Sequence, residues 1–178
     1  MSFMITTAVK GKGNRVKVAE AGIKSIIQTS LKKKSSANSI AWLLLGGKHF
    51  MPSEPLSILD YLTASSKGIP KRSVLNLAEI IDVPMKDMAV LLNVSSKTLS
   101  RKKDTDMLDS LSSSLSIEIA NTIAKGLAVF EDTVKLNRWL QKENRALQGK
   151  RPFDILNTPT GIKMVNRLFG RIEEGVYT

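Results

Sequence analysis

The sequence has no cysteine, a single histidine and few aromatic residues, which make up 5% of its 178 residues. Without cysteine there is no disulfide framework, no thiolate nucleophile and no cysteine-bearing zinc site. His49 has no second histidine with which to share a metal, so we expect a structural role for it. Acid-base chemistry would depend on scattered carboxylates. The sequence therefore predicts a protein that is not an enzyme, with no catalytic residue, metal or cofactor.

Long apolar runs are also absent. The longest uninterrupted run, Ile40 to Leu45, is far shorter than the roughly 20 residues needed to cross a bilayer. Residues 1–31 lack the compact apolar segment that follows a basic start in a signal peptide. We therefore expect a soluble, cytoplasmic protein without a membrane partner. With 42% hydrophobic residues but few aromatics, the composition favours a core of aliphatic side chains on helices, and the predicted fold class is all-α.

Acidic residues are scarce relative to basic ones. The 27 Lys and Arg exceed the 16 Asp and Glu, giving a formal net charge of +11, so polyanions and above all nucleic acid are the expected partners. Residues 1–55 hold 9 basic and 2 acidic side chains, and we assign them to a basic N-terminal extension. This extension is either an arm that grips phosphates or a flexible solubilising tail. Lys32, Lys33 and Lys34 lack the interleaved aromatics or arginine that would indicate contact with bases or a groove, which favours the tail.

The secondary structure of this extension is only partly predictable. Apolar residues at helical spacing from Val16 to Leu31 predict a helix, which Gly22 weakens by about 1 kcal/mol. The following segment, Lys32 to Ser39, is expected to be a solvated loop. Ile40 to Leu45 is too short to be assigned between a buried strand and a helix.

A helix-turn-helix pattern lies in the middle third of the chain. Breaks at 65–70, 82–84, 93–95 and 104–116 separate short helices. Ala89 is small where a second helix would pass close over it, Asn93 tolerates a left-handed turn although glycine is commoner there, and Ser95 caps the next helix.

That next helix, Ser96 to about Lys103, presents side chains able to reach base edges and phosphates. The predicted DNA-binding residues are Ser96, Lys97, Ser100, Arg101, Lys102 and Lys103. An ordinary helical hairpin with a solvated face is the alternative interpretation.

Three further helices are expected toward the C-terminus. Ser116 is predicted to cap one that closes near Ala128, which places a helix-turn-helix domain at 56–128 and a C-terminal domain at 129–178. Asp132 is predicted to cap the second. Thr158 and Pro159 are predicted to start the third, which Gly170 would end.

Four motifs in the last fifty residues carry a resemblance. They are Trp-Leu at 139–140, Asn-x-Ala-Leu-x-Gly-x-x-Pro at 144–152, Leu-x-Thr-x-x-Gly at 156–161 and Gly-Arg-Ile-Glu-x-Gly-Val-Tyr at 170–177. In this order they resemble the Xre/MbcA/ParS antitoxin family, and the likeness covers roughly residues 68–178. It implies an Xre-like helix-turn-helix domain followed by a small α-helical toxin-binding domain. It also implies a RES-domain toxin as partner, which either consumes NAD or transfers ADP-ribose, and repression of the antitoxin's own operon.

The resemblance further implies that C-terminal residues block the toxin's NAD pocket. The predicted toxin-binding residues are Arg171, Glu173, Glu174 and Tyr177, because folding demands little of residues beyond a helix stop at Gly170. Trp139 is expected to belong to the core. The expected assembly is a homodimer on a near-palindromic operator, or a higher hetero-oligomer with the toxin. The alternative is a free-standing helix-turn-helix repressor whose C-terminal domain serves dimerisation.

Overall fold

The structure is a computed structural model that describes residues 22–176, and these residues form nine α-helices and no β-strand. The all-α fold class is confirmed. Three short 3₁₀ turns lie at Gly47–His49, Arg145–Leu147 and Pro152–Ile155. The helices are α1 (Ile23–Lys32), α2 (Ala37–Leu44), α3 (Ile58–Lys67), α4 (Lys71–Ile80), α5 (Met85–Leu91), α6 (Ser96–Arg101), α7 (Ser110–Phe130), α8 (Thr133–Gln141) and α9 (Pro159–Glu173).

The first two helices differ from the sequence prediction. Within the described residues α1 begins at Ile23 with Gly22 as its N-cap, and the predicted start at Val16 lies outside those residues. The predicted loop at 32–39 is wrong at both ends, because α1 includes Lys32 and α2 begins at Ala37. The Ser36 side chain accepts a hydrogen bond from the main-chain N–H of Ser39 and so starts α2 early. The unassigned apolar run is therefore mostly helical.

The longest helix, α7, starts six residues before the predicted serine cap. Asp109 is the N-cap, and its carboxylate accepts a hydrogen bond from the Ser112 N–H at 2.9 Å. This bond lowers the pKa of Asp109 below its ordinary value. Ser116 lies inside the helix, where its hydroxyl donates to the Ser112 carbonyl at 2.7 Å. The prediction of a break up to residue 116 is wrong because buried serines can satisfy their hydroxyls on the helix backbone.

Helix α7 is the centre of the fold, and α2, α3, α4, α8 and α9 all pack against it. One continuous cluster of buried side chains runs from Ile23 in α1 to Phe169 in α9. Residues from all three predicted segments thus contribute to a shared core, and α7 runs across the predicted boundary at 128/129. The division into segments 1–55, 56–128 and 129–178 stays a prediction.

The caps predicted for α8 and α9 are confirmed. The Asp132 carboxylate accepts from the Lys135 N–H at 2.7 Å, and the Thr158 hydroxyl accepts from the Gly161 N–H at 3.1 Å. Gly161 is required because a Cβ there would overlap the carbonyl oxygen of Ile155.

The predicted end of α9 at Gly170 is wrong, because the helix continues to Glu173. Its stop is Gly175, which has the left-handed φ of 73°. The Val176 N–H donates to the Arg171 carbonyl at 2.8 Å and the Gly175 N–H to the Ile172 carbonyl at 3.0 Å. These two bonds form a Schellman motif, which satisfies the last free carbonyls of the helix.

Candidate functional surfaces

Helices α5 and α6 meet in the predicted helix-turn-helix arrangement. Ala89 is fully buried, and the turn residue Asn93 has the expected left-handed φ of 55°. The Ser95 hydroxyl accepts from the Thr98 N–H at 2.9 Å and caps α6 as predicted. Leu99 is buried against α5, so the opposite face of α6 is left to solvent.

Five of the six predicted DNA-binding residues lie on this exposed surface. They are Ser96, Lys97, Ser100, Arg101 and Lys103, although α6 itself ends at Arg101. Among the described residues, the side chains of Lys97, Arg101 and Lys103 make no hydrogen bond or ion pair. Lys102 differs, because it is half-buried and its ammonium donates to the Met107 carbonyl at 2.8 Å. Its charge supports the loop after α6, and a DNA contact for all six residues stays a prediction.

This loop fixes α6 against the start of α4. The Lys71 ammonium donates to the Lys102 carbonyl at 2.7 Å, and the Lys71 N–H donates to the Asp106 carbonyl at 3.0 Å. The Arg72 N–H donates to the Asp104 carbonyl at 2.8 Å, and the Arg72 guanidinium pairs with the Asp104 carboxylate at 2.8 Å. The first amides of α4 are thereby satisfied, and the end of α6 is held in a fixed position.

A groove of about 500 Å³ lies beside α6, between it and the starts of α4 and α5. Lys71, Lys86 and Lys97 line it together with Ser96 and Ser100. Lys86 is exposed in the first turn of α5 and was missed by the sequence analysis. Only the packing of α5 beside α6 brings Lys86 next to the predicted DNA-binding residues.

The C-terminal half contains a second groove of about 500 Å³, which is lined by residues of α7, α8 and α9. Phe130 and Trp139 line it, and both are only partly buried. Their rings pack on each other and on Phe169, with centroids 5.8 Å apart for Phe130 and Trp139 and 4.8 Å for Trp139 and Phe169. The groove therefore has an aromatic wall that is supported from beneath by a fully buried ring.

The rim of this groove carries two of the predicted toxin-binding residues. Half-buried Arg171 and exposed Glu173 both line it from the last turn of α9, so their predicted place beyond the helix is wrong. The Schellman motif at Gly175 explains the difference, since it lets the helix run past Gly170. Glu174 is the exposed C-cap residue, and Tyr177 lies outside the described residues. A toxin contact for all four residues stays a prediction.

Other groove residues were not predicted as contact residues. Lys135, Ile172 and Val176 line the groove, and Trp139, which was expected in the core, is only half-buried. Asn144 also lines the groove, and the motif at 144–152 was the only feature of the sequence that indicated this part of the surface.

The motif at 144–152 builds a closed loop beside the groove. The Asn144 side chain accepts from the Ala146 N–H at 2.9 Å, and the Asn144 N–H donates to the Lys150 carbonyl at 3.1 Å. Gly149 has a φ of 82°, which explains the glycine in the motif, and Leu147 is buried beneath the loop. The motif residues therefore shape the backbone at one end of the groove.

Two family models match the chain. Residues 60–121 match the antitoxin Xre-like helix-turn-helix domain, and residues 125–175 match the antitoxin Xre/MbcA/ParS C-terminal toxin-binding domain. The chain belongs to the Xre/MbcA/ParS antitoxin family. It is a type II antitoxin with a DNA-binding and a toxin-binding domain, and the family resemblance is confirmed. No curated protein sequence matches the chain.

The surfaces of the antitoxin fall within these two matches. The exposed face of α6 and Lys86 lie in the helix-turn-helix match, and the aromatic groove lies in the toxin-binding match apart from Val176. These domains indicate a regulatory, non-enzymatic role. Within residues 22–176, no helix has the length and apolar character of a membrane span, and no group of three acidic or histidine residues is placed to hold a metal.

Proposed function

We propose that this antitoxin binds and neutralises a RES-domain toxin, one that consumes NAD or transfers ADP-ribose, and represses its own operon through α6. The observation that carries the proposal is the toxin-binding match over a groove with an aromatic wall and charged rim. The match to a toxin-binding domain favours this function over a free-standing repressor.

Neutralisation on this proposal uses two parts of the surface. A pocket built for a dinucleotide offers cationic and stacking groups, and the carboxylates of Glu173 and Glu174 with the Tyr177 ring have the matching chemistry. The groove receives an apolar side chain of the toxin against Trp139, because large aromatic residues in concave sites dominate the binding energy of interfaces. Arg171, which also lines the groove, pairs with an acidic group of the toxin.

The neutralisation is tested by NAD turnover of the partner RES-domain toxin at increasing antitoxin concentration. The charge-reversal variants Arg171→Glu and Glu173→Lys should each weaken inhibition at least tenfold. Lys163→Glu is the matched control, since Lys163 is exposed on the same helix and does not line the groove. If both groove variants inhibit the toxin as well as the control does, the toxin contact lies elsewhere.

Repression is tested by binding to the antitoxin's own promoter DNA and to a scrambled duplex. We expect Arg101→Ala to cost about 1–3 kcal/mol on the promoter, because a bidentate contact to a base contributes that much discrimination. The loss on scrambled DNA should be smaller. An equal loss on both duplexes would make Arg101 a phosphate contact, and no loss on either would remove it from the interface.

A further inference from the structure

A short basic turn follows α2 and lies outside both family matches. It comprises residues 46–50, Gly-Gly-Lys-His-Phe, whereas the first match begins at residue 60. Lys48 and His49 are exposed, and within residues 22–176 neither side chain makes a hydrogen bond or an ion pair. The structural role that the sequence predicted for His49 therefore has no side-chain contact to support it in the described part of the chain.

The backbone of the basic turn is held in one conformation. Gly46 and Gly47 have positive φ values of 117° and 56°, which glycine adopts without strain. The Phe50 N–H donates to the Gly47 carbonyl at 2.9 Å, and the Trp42 indole N–H donates to the Met51 carbonyl at 3.2 Å. A partner that binds the two basic side chains does not have to order this backbone, which lowers the entropic cost of binding.

Helix α4 connects the basic turn to the predicted DNA-binding surface. The Ser73 hydroxyl of α4 donates to the Leu45 carbonyl just before the turn. Asn76 of α4 lies beside Gly46, because a Cβ on that glycine would be 4.0 Å from Asn76 Nδ2. Lys71, in the first turn of the same helix, lines the groove beside α6. The basic turn and the groove thus lie on two flanks of one helix, which is about 10 Å wide with its side chains.

This separation matches the dimensions of B-DNA. The major groove is about 12 Å wide and admits a helix such as α6, and a phosphate backbone borders the groove on each side. A cation about one helix width away from α6 can therefore reach the backbone that borders the groove. Contacts of this kind position a protein on the duplex without reading its sequence.

The charges around the basic turn favour an anionic partner. Lys48 is the only Lys, Arg, Asp or Glu between residues 35 and 53. The next carboxylate along the chain, Glu54, accepts hydrogen bonds at 2.7 and 3.2 Å from two side chains at the start of α2, which is the far end of that helix. The one carboxylate of α4, Glu79, lies beside the start of α1. No carboxylate of α2, α4 or the basic turn therefore competes for the Lys48 ammonium.

The lysines at 32–34 are placed differently from Lys48. They precede α2, whose eight residues span about 12 Å, and the basic turn follows the other end of that helix. Lys24 lies at the opposite end of α4, where its ammonium is 4.0 Å from the Asp82 carboxylate. Among the lysines of the described part of the N-terminal extension, Lys48 is thus the one that lies near the start of α4.

We propose that the basic turn is a second DNA contact, in which Lys48 binds a backbone phosphate next to the site that α6 reads and the His49 ring donates a hydrogen bond beside it. Duplex DNA fits better than an acidic protein, because Lys71, Lys86 and Lys97 line the groove on the other flank of α4. The contact adds affinity without specificity. This inference rests on the proposed DNA-binding function of α6.

The contact is tested with the full-length antitoxin on its own promoter DNA and on a scrambled duplex, over a series of salt concentrations. Lys48→Ala should weaken binding to both duplexes about five- to tenfold near about 0.1 M salt and reduce the slope of log affinity against log salt by about 0.9, the value for one phosphate contact. Lys33→Ala is the matched control, because it removes the same charge from an exposed position before α2 and should leave the slope unchanged. His49→Lys adds a cation to the basic turn and should steepen the slope by about 0.9.

Each outcome decides the inference. If the wild type binds DNA and Lys48→Ala keeps the wild-type slope, the inference is wrong while the function of α6 stands. If Lys33→Ala lowers the slope as much as Lys48→Ala does, the effect is one of net charge and the inference is also wrong. If Lys48→Ala binds DNA normally but inhibits the toxin less, the basic turn is a toxin contact instead. A wild type that binds neither duplex overturns both the inference and the proposed DNA-binding function.

Folding of the variants is checked by circular dichroism. If Lys48→Ala loses helicity, His49→Lys decides the question by itself. A steeper slope for that variant supports the contact, and an unchanged slope overturns it.

Discussion

Replacing Gly126 with alanine sets two opposing effects against each other in the middle of α7. Alanine is the better helix former, and in an exposed helix interior this exchange stabilises by about 1 kcal/mol. At this position, however, a Cβ atom would lie 2.7 Å from Leu136 Cδ1 and 2.7 Å from Phe169 Cζ. Both distances are far below the roughly 3.5–4.0 Å at which carbon atoms attract each other.

The packing around Gly126 leaves these neighbours little room to move. Leu136 and Phe169 are both completely buried, and the Phe169 ring is held by Trp139 at a centroid distance of 4.8 Å. Extra methyl groups in packed cores typically cost about 1–3 kcal/mol. Two simultaneous overlaps place Gly126→Ala in the upper part of that range. After the gain in helix propensity, we expect a net destabilisation of about 1–2 kcal/mol.

Urea unfolding followed by circular dichroism measures this difference, and Gly170→Ala is the matched control. Gly170 also lies within a helix, but a Cβ there would meet only Lys125 Nζ at 3.9 Å. The control should therefore be stabilised by up to about 1 kcal/mol. The reasoning is refuted if Gly126→Ala is as stable as the wild type or responds like the control.

A compensating change sharpens the test. Leu136→Val removes one of the two atoms nearest to the new methyl group, so the double variant with Gly126→Ala should be more stable than the sum of the single effects predicts. Displacement of Phe169 should also disturb Trp139 at the groove and weaken inhibition of the toxin. Gly170→Ala should leave that inhibition unchanged.

Three smaller changes test individual contacts. Asp109→Ala should destabilise by about 1 kcal/mol, as loss of an N-cap does, whereas Asp109→Asn should cost much less. Because hydrogen bonding to Ser112 lowers the pKa of Asp109, the stabilisation that depends on its charge is complete above the ordinary pKa of 3.8 and is lost as the pH falls through the lowered value. Urea unfolding of the wild type and of Asp109→Asn should therefore show a smaller difference in the free energy of unfolding at pH 2 than at pH 7. Gly175→Ala forces a left-handed alanine at a cost of about 1–2 kcal/mol, so amide exchange at Val176 should accelerate, and unchanged exchange would contradict the Schellman stop. Lys86→Ala should weaken binding to promoter and scrambled DNA equally and reduce the slope of log affinity against log salt by about 0.9, while an unchanged slope would exclude a phosphate contact.

The parts of the fold that the sequence predicts correctly depend on neighbouring residues. The turn at Asn93 rests on a left-handed backbone, and the caps at Ser95, Asp132 and Thr158 each rest on a hydrogen bond from the N–H three residues later. Such interactions leave a signature in a short window, and the same holds for the buried Ala89.

The errors in the fold arise where partners are distant in sequence or where two signals compete. Ser113 reads as part of a loop, but its hydroxyl accepts the Ile69 N–H at 3.0 Å from 44 residues away, which makes a buried serine stable inside α7. The sequence predicts a helix stop at Gly170, but of these two glycines only Gly175 has the left-handed conformation that ends α9. A glycine in sequence does not reveal whether its φ will be positive.

The candidate surfaces show the same division. The α6 face follows from helical periodicity, whereas Lys86 joins it only through the packing of α5. The aromatic groove is formed by residues of three helices. Trp139 belongs to both the core and the groove, because its ring packs on Phe169 and also lines the groove. Periodicity assigns a residue to one face and cannot describe a side chain that serves two.

The turn of the helix-turn-helix also joins the two domains. At Asn93, where glycine is commoner, the side-chain amide donates to the Asn157 carbonyl at 3.0 Å, across 64 residues. Glycine would suit the backbone at least as well, but it would leave that carbonyl without this donor. Asn137 makes a second contact between the domains, because its amide donates to the Ile80 carbonyl at the end of α4 at 2.9 Å. The first bond ties the turn before α6 to the loop that precedes α9, the second ties α8 to the end of α4, and α7 runs through both domains. The departure from glycine at Asn93 is thus explained by a contact that only the folded arrangement of the two domains provides.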